Sequence, residues 1–267
     1  PTMLMLGSIT LREPFQVLFV ILAFYFGLKM KIFLKNKITN FLFILLFSLM
    51  AGLLHKALFL YSMILIGVFL LWDIKNTNTI FRVTMPRIFV LVITTLILYV
   101  FFSVASNSSI SGAELFRMIS SFEILDAIEK HRMDTPIGRA SYNVGLDTSS
   151  LFSVIYSGFL IYINYLFSPF IWQVSNLADV YAYIESILHM ILIYYSIKLW
   201  RLERGEMRQI LGLLLLLFFI MSFIWSVGST NYGTGMRHKM LSWWMLVLMG
   251  GPLFYENILF QIRLLKR

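Results

Sequence analysis

Long stretches without a charged side chain constrain this sequence more than any other feature. Residues 209–228 and 240–255 contain no Asp, Glu, Lys or Arg. A helix of about 20 apolar residues is long enough to cross the hydrocarbon core of a bilayer. Hydrophobic residues make up 59% of the chain and charged residues only 13%, which is typical of a membrane protein with several crossings. The sequence therefore predicts an all-α, polytopic integral membrane helix bundle.

The basic residues lie between the apolar stretches and indicate the orientation of the chain. The net charge is +9, but these residues cluster at the ends of apolar runs, as they do in cytoplasmic loops, so no nucleic-acid partner is expected. The segment 39–72 is too long for one crossing and is interpreted as two helices that turn outside at His55 and Lys56. About seven crossings are predicted, near residues 14–29, 39–54, 57–72, 88–104, 184–200, 209–228 and 240–255.

Two other segments are predicted not to cross the membrane. Residues 105–150 form a polar external loop, in which apolar residues at helical spacing predict an amphipathic surface helix over residues 112–131. Residues 151–172 are apolar, but both of their ends are predicted outside. They are therefore expected to form a re-entrant or interfacial segment that is broken at Pro169. The alternative is an error in another crossing, most readily in the 39–72 pair.

The chain is interpreted as a single membrane domain over residues 1–267. It begins with Pro1 rather than Met and close to a membrane entry, so it is expected to be an N-terminally truncated part of a longer chain. The absence of cysteine excludes disulfide and thiolate chemistry. The sequence contains no Walker, GxGxxG or HExxH pattern, and its histidines and acids lack the spacing of metal ligands. No cofactor and no metal are expected.

Residues 230–239, TNYGTGMRHK, are the strongest candidate for chemistry. They are predicted to form a glycine-rich external turn between two crossings, in which Gly233 and Gly235 permit a tight bend. Arg237 offers a charged fork that suits phosphate or carboxylate. His238 can exchange a proton near neutral pH. The alternative is an ordinary external loop whose basic side chains contact lipid headgroups.

Further polar residues are predicted on the same external face, and each has a simpler explanation beside a functional one. Arg12 and Glu13 are also explained by a surface ion pair at a helix start, and His55 by an interfacial turn. His189 lies inside a predicted helix and is expected to be a packed, hydrogen-bonded core histidine. The residues predicted on this face, besides Arg237 and His238, include Arg12, Glu13, His55, Arg139, Asp179 and Glu185.

Three stretches together resemble a known class of bacterial membrane protein. They are LREP at the start of a helix, YLFSPFIWQ followed by Asp179 and a helix with Glu185, and NYGTGMRHK. Over residues 1–255 the chain is similar to Wzy-type O-antigen or exopolysaccharide repeat-unit polymerases and to related GT-C-like membrane glycosyltransferases. The resemblance implies that a glycan passes, without a metal, from a polyprenyl-diphosphate-linked oligosaccharide to a saccharide acceptor outside the membrane.

The resemblance also implies that Arg12, Arg139, Arg237 and His238 act, and the other expected residues come from the external face. Cations are needed where the leaving diphosphate gains negative charge, and a base must take the proton of the acceptor hydroxyl. Arg237 and His238 are the expected catalytic residues. The expected diphosphate- or sugar-binding residues are Arg12, Glu13, His55, Arg139, Asn231 and Tyr232.

The expected function is extracytoplasmic glycosyl transfer in surface-polysaccharide assembly by a multi-pass protein of the bacterial inner membrane. The partners implied are a lipid-linked oligosaccharide, membrane lipid and other polysaccharide-assembly proteins. Two alternatives stay open: a transporter or flippase of a lipid-linked saccharide, and a non-catalytic membrane scaffold. A transporter is expected to carry ionisable residues near the bilayer midplane, whereas the predicted crossings contain almost none. A scaffold does not need a basic external cluster with histidine.

Overall fold

The computed structural model describes residues 12–33, 36–73, 84–105, 123–135 and 138–265. The chain divides into two compact units, which are treated separately below. Of the described residues, 12–33, 36–73 and 84–105 belong to the N-terminal unit, and 123–135 and 138–265 belong to the C-terminal unit. Among the described residues every regular element is helical, and an isolated β-bridge pairs Ser141 with Asn231.

The N-terminal unit contains the helices that the apolar stretches predict, each within a few residues of its expected ends. Each stretch is almost wholly apolar. Lipid cannot form hydrogen bonds with backbone N–H and C=O groups, so these groups bond to one another in a helix. The segment 39–72 does form two helices, as predicted. The helices are α1 (Arg12–Ile32), α2 (Lys37–Leu54), α3 (Lys56–Leu71) and α4 (Met85–Ala105).

His55 makes the sharp turn between α2 and α3. Its backbone is extended, with φ −160° and ψ 130°, so it ends one helix and begins the next. Its Nδ1 atom accepts a hydrogen bond of 3.1 Å from the backbone N–H of Ala57, which otherwise has no partner within the first turn of α3. The predicted turn at His55 is therefore confirmed, and the histidine has a local structural role there.

The C-terminal unit contains the remaining described helices. Asn176 caps α7, because its side chain accepts a hydrogen bond from the backbone N–H of Asp179. Gly205 begins α8 with φ +58°, a backbone conformation that glycine adopts without strain. The elements are α5 (Glu123–Asp134), α6 (Leu151–Phe167), a 3₁₀ turn (Ile171–Gln173), α7 (Leu177–Leu202), α8 (Gly205–Gly228) and α9 (Tyr232–Leu265).

The protein is an all-α polytopic membrane helix bundle, as the sequence predicts. Within the described part of the chain, four helices are long and apolar enough to cross a bilayer: α1, α2, α7 and α8. Two further apolar helices, α3 and α6, are shorter, and residues 85–95 form an apolar part of α4. The figure of seven crossings, the single domain and the orientation stay predictions.

The predicted glycine-rich turn at residues 230–239 is wrong. Helix α9 begins at Tyr232, so only residues 229–231 connect it to α8. Gly233 and Gly235 are helical rather than bent. The position that a Cβ would take at Gly235 is occupied by the Tyr142 hydroxyl, so at this residue glycine serves close packing. The helix also continues beyond the predicted limit of residue 255, through Pro252 to Leu265.

Helix α7 begins earlier than predicted, at Leu177 rather than near residue 184. Asp179 therefore lies in its first turn. Glu185, which was predicted at an external face, lies about two turns inside the helix and is only 3% exposed. The side of the membrane on which Glu185 lies stays a prediction.

The two segments predicted not to cross are described in part. A helix covers Glu123–Asp134, and the predicted start at residues 112–122 lies outside the described residues. Its place on the membrane surface stays a prediction. Helix α6 has 17 residues, fewer than the roughly 20 of a full crossing. At its end the carbonyl of Ser168 accepts a hydrogen bond of 2.7 Å from Ser186, about two and a half turns into α7. The chain then returns to the start of α7, and the re-entrant path stays a prediction.

Candidate functional site

A cavity of about 480 Å³ lies at one end of the C-terminal unit. It opens where the end of α5, the loop after it and the α8–α9 connection meet. Its walls present hydroxyl groups, an amide and one guanidinium, a mixture that can hydrogen-bond to a polar or anionic ligand. The lining residues are Arg132, Met133, Thr135, Ser141, Asn143, Val144, Gly145 and Thr230.

Arg132 is the buried cation of this cavity and is only 8% exposed. Its Nη2 atom donates to the carbonyl of Val144 at 2.9 Å. The carbonyls at the end of a helix lack partners within the helix, and the helix dipole favours a cation there. Its Nη1 atom donates to three such carbonyls at the end of α8, those of Ser226 at 3.3 Å, Val227 at 3.1 Å and Ser229 at 3.0 Å.

The charge of Arg132 is left without a carboxylate partner among the described residues, and its Nε atom has no hydrogen-bond partner there. Burial lowers the pKa of the guanidinium, but an arginine in a protein remains protonated. A buried, partly unsatisfied cation favours an anionic ligand over a neutral one.

The cavity wall is fastened to the α8–α9 connection by backbone hydrogen bonds. The N–H of Tyr142 donates to the carbonyl of Thr230, and the N–H of Tyr232 donates to the carbonyl of Ala140, both at 3.0 Å. Ser141 and Asn143 line the cavity, whereas Tyr142 between them is buried at 3% exposure. This burial raises the pKa of the Tyr142 hydroxyl, which therefore keeps its proton.

Asp179 joins two of the predicted site residues in the first turn of α7. Its carboxylate is 1% exposed and forms an ion pair with Arg139, whose side chain is 53% exposed. The hydroxyls of Tyr232 and Ser175 each donate to it at 2.8 Å, and the N–H of Ser175 donates at 3.1 Å. Arg139 and Tyr232 are thus brought together by an acid that was not predicted as a site residue.

His238 lies beside the connection between α8 and α9. Its Nδ1 atom is 2.8 Å from the Ser229 hydroxyl, and its ring lies against Trp225 with centroids 4.1 Å apart. Arg237, on the next face of the helix, is exposed. Neither residue lines the cavity of about 480 Å³, although Ser229 contacts both His238 and Arg132.

Asn231 has a local structural role at the start of α9. Its side-chain oxygen accepts a hydrogen bond of 2.8 Å from the N–H of Thr234, so it caps the helix. It also pairs with Ser141 in the isolated bridge. The predicted binding residue therefore positions the cavity wall and the helix at the same time.

Three other predicted residues lie together in the N-terminal unit. Arg12 is exposed, Glu13 is buried at 3% exposure, and His55 is half-buried. Burial lowers the pKa of His55, the positive charge of Arg12 lowers it further, and Glu13 acts in the opposite direction. This grouping agrees with the prediction that the helix start and the 55–56 turn share one face.

His189 is buried, as predicted, but the predicted hydrogen bonds are absent. It is 1% exposed, and neither ring nitrogen has a partner among the described residues. Its ring packs against Trp243 and Phe218 instead, with centroids 5.2 and 5.8 Å away. Hydrophobic spacing identifies the buried face of α7 but carries no information about the partners of a polar residue on it.

The described residues contain no group of three or more His, Asp or Glu side chains placed to hold a metal ion. Comparison with known proteins assigns no family, because no protein-family model, no curated protein and no solved structure matches the chain. The candidate function therefore rests on the cavity and on the groups around it. Sequence reasoning missed Arg132, whose only signal was a position at the end of a predicted helix.

Proposed function

We propose that the protein transfers a glycan from a lipid-linked diphosphate donor to a sugar hydroxyl at the extracytoplasmic face of a bacterial inner membrane. The observation that carries this proposal is the cavity that the buried side chain of Arg132 lines. A diphosphate supplies the anion that this cation lacks. The hydroxyls of Ser141 and Thr230 and the amide of Asn143 are suitable partners for sugar hydroxyls.

The reaction requires one bond to form and one to break at the anomeric carbon. The acceptor oxygen attacks that carbon, and the lipid diphosphate leaves with the electron pair of the broken C–O bond. A nearby cation stabilises the charge on the leaving group. Arg132 fills this role in the proposal, with Arg237 and Arg139 as exposed contacts to the rest of the headgroup.

His238 is the proposed base for the acceptor proton. Its hydrogen bond with Ser229 fixes the ring, and Ser229 lies next to the cavity residue Thr230. A histidine has a suitable pKa range for general base catalysis near neutral pH. Arg12, Glu13 and His55 stay candidates for further donor contacts, and other polysaccharide-assembly proteins stay candidate partners.

A transporter or flippase of a lipid-linked saccharide is the second candidate. The observation that favours it is a set of ionisable residues buried between α7 and α9: Glu185, His189 and Lys239, each at most 3% exposed. Glu185 and His189 lie within the predicted crossing at residues 184–200, and Lys239 directly precedes the predicted crossing at residues 240–255. Ionisable groups inside membrane helices often belong to transport paths.

The test uses purified protein in lipid vesicles that contain a lipid-linked repeat unit. Longer glycans are the expected product of the native protein, and movement of the donor across the bilayer without elongation would instead support the transporter. Asn143→Gly removes the cavity amide but keeps the backbone conformation of φ +54°. It should lower the elongation rate by about tenfold through loss of a ligand hydrogen bond.

Asn36→Gly is the matched control, because Asn36 also has a positive φ of +58° and lies in the N-terminal unit. It should leave elongation unchanged. Arg237→Lys keeps the charge but loses the paired hydrogen bonds, so it should impair elongation, as should His238→Ala. Full elongation by Arg237→Ala and His238→Ala at normal protein abundance would remove this segment from the reaction.

A further inference from the structure

Three ionisable side chains are buried together inside the C-terminal unit, away from the groups used above. Glu185 and His189 lie one turn apart on α7, so they face the same side of that helix. Lys239 lies about two turns into α9. The exposed fractions are 3% for Glu185, 1% for His189 and 3% for Lys239.

The charges of these residues act on one another. Lys239 interacts electrostatically with Glu185 and with His189. Its Nζ atom is also 5.9 Å from the centre of the Tyr165 ring. Burying an ionisable group costs free energy unless it has a partner, so an acid and a base placed together are far more stable than either alone.

A purely structural role does not explain the polar atoms that lack partners. Both ring nitrogens of His189 and the hydroxyls of Tyr142 and Tyr165 are buried without a hydrogen-bond partner among the described residues. A buried polar atom without a partner costs roughly 1–3 kcal/mol. Apolar side chains of similar shape would avoid that cost, so these groups call for a function or for ordered water.

The two tyrosines lie between this group and the cavity. Both approach Gly235, one turn before Lys239: the Tyr142 hydroxyl occupies the position of a Cβ atom, and a ring carbon of Tyr165 is 3.7 Å from that position. Tyr142 is flanked in the chain by two residues that line the cavity. Its hydroxyl also interacts electrostatically with Arg132. Gly235 has no side chain and therefore leaves room for the Tyr142 hydroxyl between the cavity and the three buried ionisable residues.

We propose that Glu185, His189 and Lys239 form an internal site that binds and releases a proton, and that Tyr142 and Tyr165 connect it to the Arg132 cavity. Neither hydroxyl has a hydrogen-bond partner among the described residues, so water is the proposed carrier across the gaps. Each hydroxyl accepts a proton from water on one side and gives its own to water on the other, so it is unchanged after each transfer. The proton is taken up by the carboxylate, the amine or the imidazole. This site goes beyond glycosyl transfer and does not depend on it.

The groups that face the site come from each element packed around it. Helix α8 contributes Phe218, which cannot carry a proton. Helix α9 adds Trp243 beside the imidazole. The ionisable groups are Arg132 on α5, Tyr142 in the loop, Tyr162 and Tyr165 on α6, Glu185 and His189 on α7, and Lys239 on α9.

The test measures how fast the imidazole N–H of His189 exchanges with deuterated water. The full chain, labelled with ¹⁵N-histidine, is studied in lipid bilayers by magic-angle-spinning NMR. The sequence has only four histidines, so the variant His189→Asn assigns the signal. The N–H should be less protected, relative to a free imidazole, than the backbone amides of α7 around it are relative to amides of an unfolded chain. Equal protection would mean that local opening admits the solvent, and would overturn the proposal.

Removal of one tyrosine hydroxyl tests whether Tyr142 and Tyr165 connect the internal site to the Arg132 cavity. Tyr142→Phe and Tyr165→Phe keep the rings and should slow the exchange of His189 by at least about tenfold. Tyr162→Phe is one control. Tyr162 lies one turn before Tyr165 on α6, but its hydroxyl donates to the Phe219 carbonyl at 3.4 Å. Tyr61→Phe is another, because it removes a buried hydroxyl without a described partner in the N-terminal unit. Equal exchange rates in all four variants would overturn the connection.

The electrostatic interaction between Glu185 and Lys239 is tested by replacing both residues. Lys239→Met or Glu185→Gln alone leaves one buried charge and is expected to destabilise the fold, whereas the double variant leaves none. The folded double variant should exchange the His189 N–H at least about tenfold more slowly than the native chain. If it folds and exchanges at the native rate, Glu185 and Lys239 are a structural ion pair and not a proton site.

Discussion

At the scale of single residues, Asp179 should contribute more to stability than its ion-pair partner. Asp179→Asn removes the charge that four donor groups share and leaves the Tyr232 hydroxyl with a weaker acceptor. We expect it to lower the free energy of unfolding by about 2 kcal/mol, because hydrogen bonds to a buried charged group are strong. Thermal unfolding of the purified protein, followed by circular dichroism, measures the loss.

Arg139→Ala is the matched comparison for this prediction. Its side chain is 53% exposed, and an exposed ion pair contributes at most about 1 kcal/mol. We therefore expect a smaller loss than for Asp179→Asn. A larger loss for Arg139→Ala would show that the guanidinium, and not the hydroxyl of Tyr232, is the main partner of the carboxylate.

His55 should make the stability of the N-terminal unit depend on pH. Its Nδ1 atom must be deprotonated to accept the hydrogen bond from Ala57, and burial and Arg12 lower its pKa from the usual 6.5. The unfolded chain therefore binds the proton more readily than the folded chain does. The contribution of His55 is complete above about pH 6.5 and is lost as the pH falls below that value.

The measurement is the unfolding temperature between about pH 8 and pH 5, in the native chain and in His55→Asn. Asparagine can cap a helix but does not titrate in this range. The variant should therefore lose less stability on acidification than the native chain. Identical pH profiles for the two proteins would show that another group is responsible.

The site could be predicted in part at this scale. The basic residues and histidines of the candidate set are identifiable from their residue types alone, as Arg237 and His238 illustrate. Arg132 and Asp179 were missed because their importance comes from partners distant in the chain. Arg132 binds carbonyls at residues 226–229, and no local pattern near residue 132 indicates that contact.

At the scale of elements, the two glycines near the start of α9 should respond differently to alanine. Gly235→Ala places a methyl group where the Tyr142 hydroxyl lies, so it should destabilise the fold. Gly233 is exposed, and its Cβ would meet only Asn231 Oδ1 at 3.4 Å. Alanine favours a helix over glycine by about 1 kcal/mol, so Gly233→Ala should be neutral or stabilising. Thermal unfolding of both variants checks the order.

A double variant separates crowding from backbone effects at Gly235. Tyr142→Phe removes the oxygen that the new methyl group would meet, so it should restore part of the stability lost in Gly235→Ala. If the two losses simply add, the contact between these residues is not the cause. This result also shows whether Tyr142 can be removed without loss of the fold, as the exchange experiment requires.

Helices were more predictable than the connections between them. Apolar length identified α2 and α3 as a pair, because one crossing could not accommodate residues 39–72. The turn at residues 230–239 was wrong because glycine permits tight turns and close helix packing equally well, and the sequence does not distinguish them. The close packing at Gly235 depends on Tyr142, which is distant in the chain.

At the scale of the whole molecule, the two ends of the C-terminal unit should be accessible to a labelling reagent from opposite sides of the membrane. Helix α8 has 24 residues and is therefore about 36 Å long. Arg204 precedes it, whereas Asp134 lies near its far end through the contacts of Arg132. Both side chains are exposed.

Single cysteines introduced at residues 134 and 204 test this arrangement, because the native chain has no cysteine to interfere. A membrane-impermeant thiol reagent added to intact cells should modify the cysteine at residue 134. The cysteine at residue 204 should react only after the membrane is opened. Labelling of both positions in intact cells would contradict the predicted orientation, and labelling of residue 204 alone would reverse it.

The connection between α8 and α9 contains only residues 229–231, and this shortness restricts how the chain can change. One inserted residue would turn the start of α9 by about 100° about its axis. Gly235 would then leave Tyr142, His238 would leave Ser229, and Lys239 would leave Tyr165. A substitution in this connection alters one contact, whereas a change of its length alters all of them at once. Insertions and deletions should therefore be tolerated far less here than substitutions.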